Sequence, residues 1–261
     1  MLGFGFFDLS GMQERYEQSC WRALQAQPWS PDIKWQEAML IDVATWAPPR
    51  LFDCPEVKCV NVNTLPVNDV VISPDGRWLY ANKVYPPTHS LKTYLGCKRG
   101  KLRFTGPALI PALHGRLHTE RPWEKNPWMS FTPMEFFTLR GGTRFSRGHT
   151  IVAGLGLGHQ LREVTHRKQV KRVTLIERSQ SLVDFIMPAL KPLLGPVPVE
   201  VLVGDAYKVL PTLTADVALV DIYQDYGDGA WDHEDMRLAR KCPNIGRVWI
   251  WGGSAYKSSE R

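Results

Sequence analysis

Nowhere does the sequence reach the ~18 consecutive apolar residues that a membrane-spanning helix needs, so no membrane segment is expected. C-x-x-C pairs are missing too. The five cysteines (Cys20, Cys54, Cys59, Cys97 and Cys242) are odd in number and scattered. That pattern argues against a disulfide framework and a structural zinc site; no metal is expected, and reducing cytosol is the expected compartment. The opening Met1-Leu-Gly-Phe-Gly-Phe-Phe has no basic flank and soon meets Asp8, unlike a secretory leader. No internal repeat is visible. What is present is an ordinary folded composition, 44% apolar and 22% charged over 261 residues, which excludes disorder of the whole chain.

Charge is unevenly placed. Residues 71–150 carry 13 Lys and Arg against four Asp and Glu, whereas residues 1–70 are acidic. The basic block includes Lys98, Arg99, Lys101, Arg103, Arg116, Arg121, Lys125, Arg144 and Arg147. Such a block is either a solvated loop-and-strand surface or an anion footprint. Nucleic acid bound through residues 98–147 stays open as a partner, although no nucleic-acid motif accompanies the block.

Three stretches differ in character. Residues 1–55 read as helical: Ser10 precedes an apolar-periodic run to Leu24, and Ile33–Trp46 forms a second run closed by Pro48-Pro49. Residues 56–128 read as a small β-rich appendage. Its clearest unit is a hairpin, Asp69–Ile72 and Arg77–Ala81, around Ser73-Pro-Asp-Gly76. Lys101–Phe104 is a further strand. From 129 to 261 the reading is one Rossmann-like domain. It opens on a helix with Thr132 as N-cap, Pro133 at the first helical position and Glu135 completing a capping box. Strands at 149–153, 172–176, 197–203, 216–220 and 247–251 then alternate with helices. Their near-continuous apolar character predicts an α/β fold: a doubly wound, mostly parallel sheet covered on both faces. Five strands are counted, so the sheet is expected to be shortened at its C-terminal edge, leaving Trp249 or Trp251 near an open edge.

Open α/β sheets bind ligands at the carboxyl ends of their strands. Four features fall there in order. Gly154-Leu155-Gly156-Leu157-Gly158 follows the first strand, where glycines let the backbone turn tightly and approach a ligand. A dinucleotide fingerprint would need a third glycine where His159 stands, so G-x-G-x-G suits a nucleoside-type ligand better. Glu177 ends the second strand and can accept ribose hydroxyls. Asp205 follows Gly204 after the third strand, either bonding an adenine amino group or simply capping a helix. Asp221 ends the fourth, facing the reactive end of a bound ligand.

These residues resemble the class I S-adenosylmethionine-dependent methyltransferases, and within them the spermidine-synthase-like branch. In His159-Gln-Leu-Arg-Glu-Val164 the last four residues match the end of that branch's glycine-loop motif, Val173–Glu177 matches its next strand, and Gly204-Asp-Ala-Tyr207 its third strand end. The resemblance implies S-adenosyl-L-methionine, or its decarboxylated form, as cofactor. It implies a cofactor set of Gly154, Leu155, Gly156, Gly158, Glu177, Arg178, Asp205, Ala206 and Asp221, with Asp221 and Tyr223 as catalytic candidates beside the acceptor. A homodimer is a further expectation it carries. There are departures. The acids that in such families hold the ligand's amino group are replaced by Val152 and Leu157, and Ile222-Tyr-Gln-Asp225 does not match the aminopropyltransferase motif beyond Asp221. The D-P-P-Y motif of amino-adenine methylation is absent. Three readings follow: a methyltransferase with an unidentified small-molecule or macromolecular acceptor, an aminopropyltransferase using the decarboxylated cofactor, or a non-catalytic fold relative binding a polyanion.

Overall fold

The computed structural model describes residues 38–59, 65–66, 68–87, 90–95, 98–116, 118–223, 238–251 and 255–257. The expected helix before Leu24 lies outside these, as do residues 224–237, ahead of the last expected strand. Residues 238–241 are helical.

Residues 38–130 form two sheets. The strands are β1 (Ala38–Ile41), β2 (Glu56–Lys58), β3 (Val71–Ile72), β4 (Trp78–Tyr85), β5 (Leu91–Leu95), β6 (Lys98–Phe104), β7 (Ala108–Gly115) and β8 (Met129–Ser130). One sheet runs β1-β6-β5; the other runs β2-β4-β7-β8, with β3 paired to β4. The hairpin is as expected: Val71 faces Tyr80 and Ile72 faces Leu79, and Gly76 N–H donates to Ser73 O at 2.8 Å from a φ of 69°. The described part of the second expected helix, residues 38–46, is not α-helical. Residues 38–41 are extended, with Met39 and Ile41 buried and Ala38 and Leu40 exposed, and they pair in parallel with β6. A 3-10 turn, Val43–Thr45, follows, capped by Asp42. Pairing with a distant strand overrides local helical spacing here.

The remaining elements are α1 (Pro133–Thr143), β9 (Gly148–Ala153), α2 (His159–Thr165), β10 (Val170–Glu177), α3 (Gln180–Leu190), β11 (Val199–Val203), α4 (Ala206–Val209), β12 (Val217–Val220), β13 (Arg247–Ile250) and β14 (Ala255–Lys257). The sheet order is β11-β10-β9-β12-β13-β14, parallel throughout except for β14, which runs antiparallel to β13. The fold is therefore a doubly wound, mostly parallel α/β sheet, as expected. The edge is less truncated than the five-strand count suggested, because β14 closes it with an antiparallel partner.

Side chains alternate between two cores, as the two-residue period of a strand requires. Ile151, Ala153, Ala218, Val220, Val248 and Ile250 face one layer with Ala206, Leu210 and Leu238. Val152, Val217, Leu219, Trp249 and Trp251 face the other, which is continuous with the appendage core. The two tryptophans are buried rather than on an open edge. Trp249 lies against Gly142 of α1, where a Cβ would collide with its indole, and Trp251 Nε1–H donates to Thr138 Oγ1 at 3.0 Å. That packing explains why α1 continues through Gly141-Gly142 to Thr143. Trp46 against Phe136 (5.2 Å between ring centroids) and Phe52 stacked on Phe185 (4.8 Å) join the appendage to the helical layer.

Candidate functional site

Each of the four rim features follows from local sequence. Gly154 leaves β9 at a φ of 100°, and a Cβ there would strike the Asp221 carbonyl oxygen. The loops after β9 and β12 therefore touch only because residue 154 has no side chain. Gly156, at a φ of 49°, is pressed against the Met129 sulfur, which also accepts the Leu157 N–H at 2.9 Å. Glu177, at the end of β10, receives Leu155 N–H on Oε2 (2.9 Å) and Ser179 N–H on Oε1 (2.8 Å). Its carboxylate thus holds the glycine loop and opens the next helix at once. Asp205 caps α4, accepting Tyr207 N–H on Oδ1 at 2.9 Å. Its capping and ligand roles are compatible, since Oδ2 is not used by the cap.

A cleft of about 830 Å³ lies over this rim. Gly154, Leu155, Gly156, Glu177, Arg178, Asp205, Ala206, Asp221 and Tyr223 all line it. Gly158 does not. It turns into α2 in the left-handed region, at a φ of 77°, against Leu190, so its glycine serves packing rather than the pocket. Tyr223 and Tyr207 pair through their hydroxyls at 3.2 Å on one side of the cleft.

Four contributors were not singled out as site residues from the sequence. Met129, from β8, supports the loop as described. Trp78 and Arg116 bring the appendage into the cleft as a second wall. Trp78 packs edge-on to Trp128, 6.0 Å between centroids, and crowds Gly115. Arg116 is held between Gly76 O (Nε–H donating, 2.6 Å) and the Trp123 ring, 4.3 Å away. The fourth is Gln160, in the first turn of α2, which is buried while lining the cleft. Neither its amide nitrogen nor its amide oxygen has a hydrogen-bond partner. An unpaired buried polar group costs about 1–3 kcal/mol. No sequence pattern flags Gln160; only packing strips its amide of water.

Glu135 adds a second acid to the cleft beside Asp221. It stands in the first turn of α1, whose cap the sequence does reveal: Glu135 N–H donates to Thr132 Oγ1 at 3.3 Å. Both Glu135 and Asp221 line the cleft. Each is half-buried, and desolvation lifts both carboxyls well above the usual carboxylate range. The negative charge of Asp221 lifts Glu135 further. Two acids so placed favour sharing one proton over ionising together, an arrangement suited to proton transfer. Among the described residues no group of His, Cys, Asp and Glu could hold a metal ion. No helix among them is long and apolar enough to cross a membrane.

Val152 and Leu157 are both fully buried. The floor of the loop is thus apolar.

No protein-family model matches the chain, and no curated protein does. Solved structures do resemble parts of it. One is an S-adenosylmethionine-dependent methyltransferase from Thiobacillus denitrificans in complex with S-adenosyl-L-homocysteine, 23% identical over 46% of this chain and 48% of that one, with a TM-score of 0.34. Another is a protein-L-isoaspartate O-methyltransferase, 16% identical over 52% and 40% of the two chains, TM-score 0.34. A third, a precorrin 8w decarboxylase from Methanobacterium thermoautotrophicum, is 23% identical over 40% and 54%, TM-score 0.31. The matched part spans about half or less of these proteins' own length. The likeness is one of fold, and the fold itself rests on the strand order and pairing described above.

Proposed function

We infer that the chain is an S-adenosylmethionine-dependent methyltransferase acting on an unidentified acceptor. The observation that carries this reading is the convergence of four strand ends. Gly154, Glu177, Asp205 and Asp221, from β9, β10, β11 and β12, meet in a single cleft of about 830 Å³.

The residues fit an adenosyl ligand. Gly154 and Gly156 both border the cleft, and neither has room for a Cβ, which would meet the Asp221 carbonyl oxygen at 154 and the Met129 sulfur at 156. Glu177 accepts one backbone N–H on each oxygen and keeps lone pairs for ribose hydroxyls. Asp205 and Ala206 would hold the adenine, and Arg178 lies beside Glu177 on the same wall. When bound, the ligand supplies a methyl group activated by its sulfonium. The protein's part is to align the acceptor with that methyl group in the cleft. Asp221, partnered by Glu135, accepts a proton on its carboxylate wherever the acceptor must lose one. Tyr223 borders that position.

Aminopropyl transfer is the second reading. The Glu135–Asp221 pair favours it, because two acids suit a cationic amine.

Thermal-shift and calorimetric titrations with S-adenosylmethionine, S-adenosylhomocysteine and the decarboxylated cofactor test the reading. Stabilisation by the first two, followed by transfer of label from methyl-labelled cofactor, supports methyl transfer. Preference for the decarboxylated form supports aminopropyl transfer. No stabilisation by any adenosyl compound, with binding to a polyanion retained, leaves a non-catalytic fold relative instead.

A further inference from the structure

Several backbone N–H groups of the glycine loop are already used. Leu155 N–H is spent on Glu177, Leu157 N–H on the Met129 sulfur, and Gly158 N–H on Leu155 O. Val152 and Leu157 add no polar side chain. A ligand end that lies over this loop and carries charge therefore finds few partners in the loop itself.

Gln160 is the exception. It is only 5% exposed, lines the cleft, and has both amide atoms unpaired. Its neighbour His159 is fixed between Phe131 (6.1 Å between centroids) and Phe136 (4.2 Å), which anchors this turn of α2. A glutamine amide offers a donor and an acceptor together. The complementary group must then offer an acceptor and a donor together. A carboxylate beside an ammonium, the α-amino-acid zwitterion, does so. An amine alone would leave the amide N–H orphaned.

We propose that Gln160 is a specificity-determining residue that reads the α-amino-acid end of the adenosyl ligand, and so selects the intact compound over its decarboxylated form. The inference rests on the adenosyl reading above and refines it. A site built to hydrogen-bond a group rejects an analogue lacking that group more strongly than an apolar site can. Gln160 also replaces the missing loop acid with a neutral amide, which avoids adding a third carboxylate to Glu135 and Asp221.

Calorimetry on the full chain tests this with three probes: S-adenosylhomocysteine, decarboxylated S-adenosylmethionine and 5′-methylthioadenosine, which has no amino-acid end. The wild-type chain is expected to bind S-adenosylhomocysteine most tightly. Gln160→Leu should weaken that ligand by about tenfold or more, as for a lost hydrogen bond to a charged group, and leave 5′-methylthioadenosine unchanged. Gln160→Glu, which keeps the acceptors and removes the donor, should shift preference toward the decarboxylated ligand. Gln160→Met serves as the apolar variant if the leucine form does not fold. The inference is overturned if the apolar variant binds S-adenosylhomocysteine as the wild type does, or weakens all three ligands equally. A wild-type chain that binds none of the three overturns the adenosyl reading itself, a different result from lost discrimination.

Discussion

The parallel sheet and the appendage beside it are built on different terms. In the sheet, β12 is Val-Ala-Leu-Val with all four residues buried, and the acids that line the cleft follow the strand ends. In the appendage, β4 is buried at seven of eight positions, and those seven include Tyr80, Asn82 and Lys83. A buried polar group must be hydrogen-bonded, and here the bonding is long-range. Asn82 Nδ2–H donates to Cys54 O (3.0 Å) and Phe52 O (3.3 Å), and Tyr80 O–H donates to Asn82 Oδ1 at 2.8 Å. Lys83 Nζ lies 2.8 Å from His114 Nε2, while His114 Nδ1–H faces Glu124 O at 3.0 Å. The sheet is thus specified by apolar pattern and glycine, the appendage by a polar network inside its core. Both contribute walls to one cleft, so a defect in either reaches the site by a different route.

The largest effect expected is on the sheet side. Gly154→Val meets both the Asp221 carbonyl and a positive φ, and should lower stability by about 3 kcal/mol or more while abolishing ligand-induced stabilisation. Denaturant unfolding with and without S-adenosylhomocysteine measures both. A variant that folds and binds as the wild type does would remove the idea that the loops after β9 and β12 must touch.

Next comes the appendage network. Asn82→Leu keeps the size but strands Cys54 O and Phe52 O and takes away the acceptor of the Tyr80 O–H, at an expected cost of about 2–4 kcal/mol. Asn82→Asp, which keeps an acceptor for Tyr80 but no donor, should fall between the two. A loss under about 0.5 kcal/mol for the leucine variant would mean that water serves the network as well as Asn82 does.

The smallest effect is on pH dependence, where the two regions should respond in opposite senses. Burial first, and the Lys83 cation second, depress His114 to about 4 from its ordinary 6.5. The unfolded chain therefore takes up a proton that the folded chain refuses, and stability is lost as pH falls from 6.5 toward 4. Glu135 and Asp221 are raised, so their contribution is present at low pH and lost as pH rises through their folded values. His114→Gln should flatten the acid-side decline, and Glu135→Gln should raise stability by about 1 kcal/mol near pH 8 while changing little at pH 5. Melting curves across pH check both; parallel curves for the two variants would remove the contrast.

Much of the sheet and its rim was legible because each signal is local. Apolar runs of strand length, the Thr132 cap, the Ser179 start of α3 and the glycines after β9 all act within a few residues. Placing Glu177, Asp205 and Asp221 needed only the rule that ligands sit at strand ends. Residues 38–46 were misread because their partner, β6, is some sixty positions away, and parallel pairing leaves no mark on either segment alone. Lys83 and Arg140 belong to a basic block that reads as surface, yet both are buried. Gly158 looked like part of the ligand loop because a glycine reports that a side chain is forbidden, without saying what forbids it.

By itself, then, the order of residues determined the alternation of strand and helix and the succession of acids at the strand ends, since backbone preference and two-residue alternation are properties of short segments. The tertiary structure alone decided which glycines touch ligand space, that Trp249 and Trp251 are covered by α1, that Glu135 stands beside Asp221, and that Gln160 is stripped of water. Those outcomes depend on distances between segments far apart in the chain, and burial and electrostatic coupling exist only once such segments have been brought together.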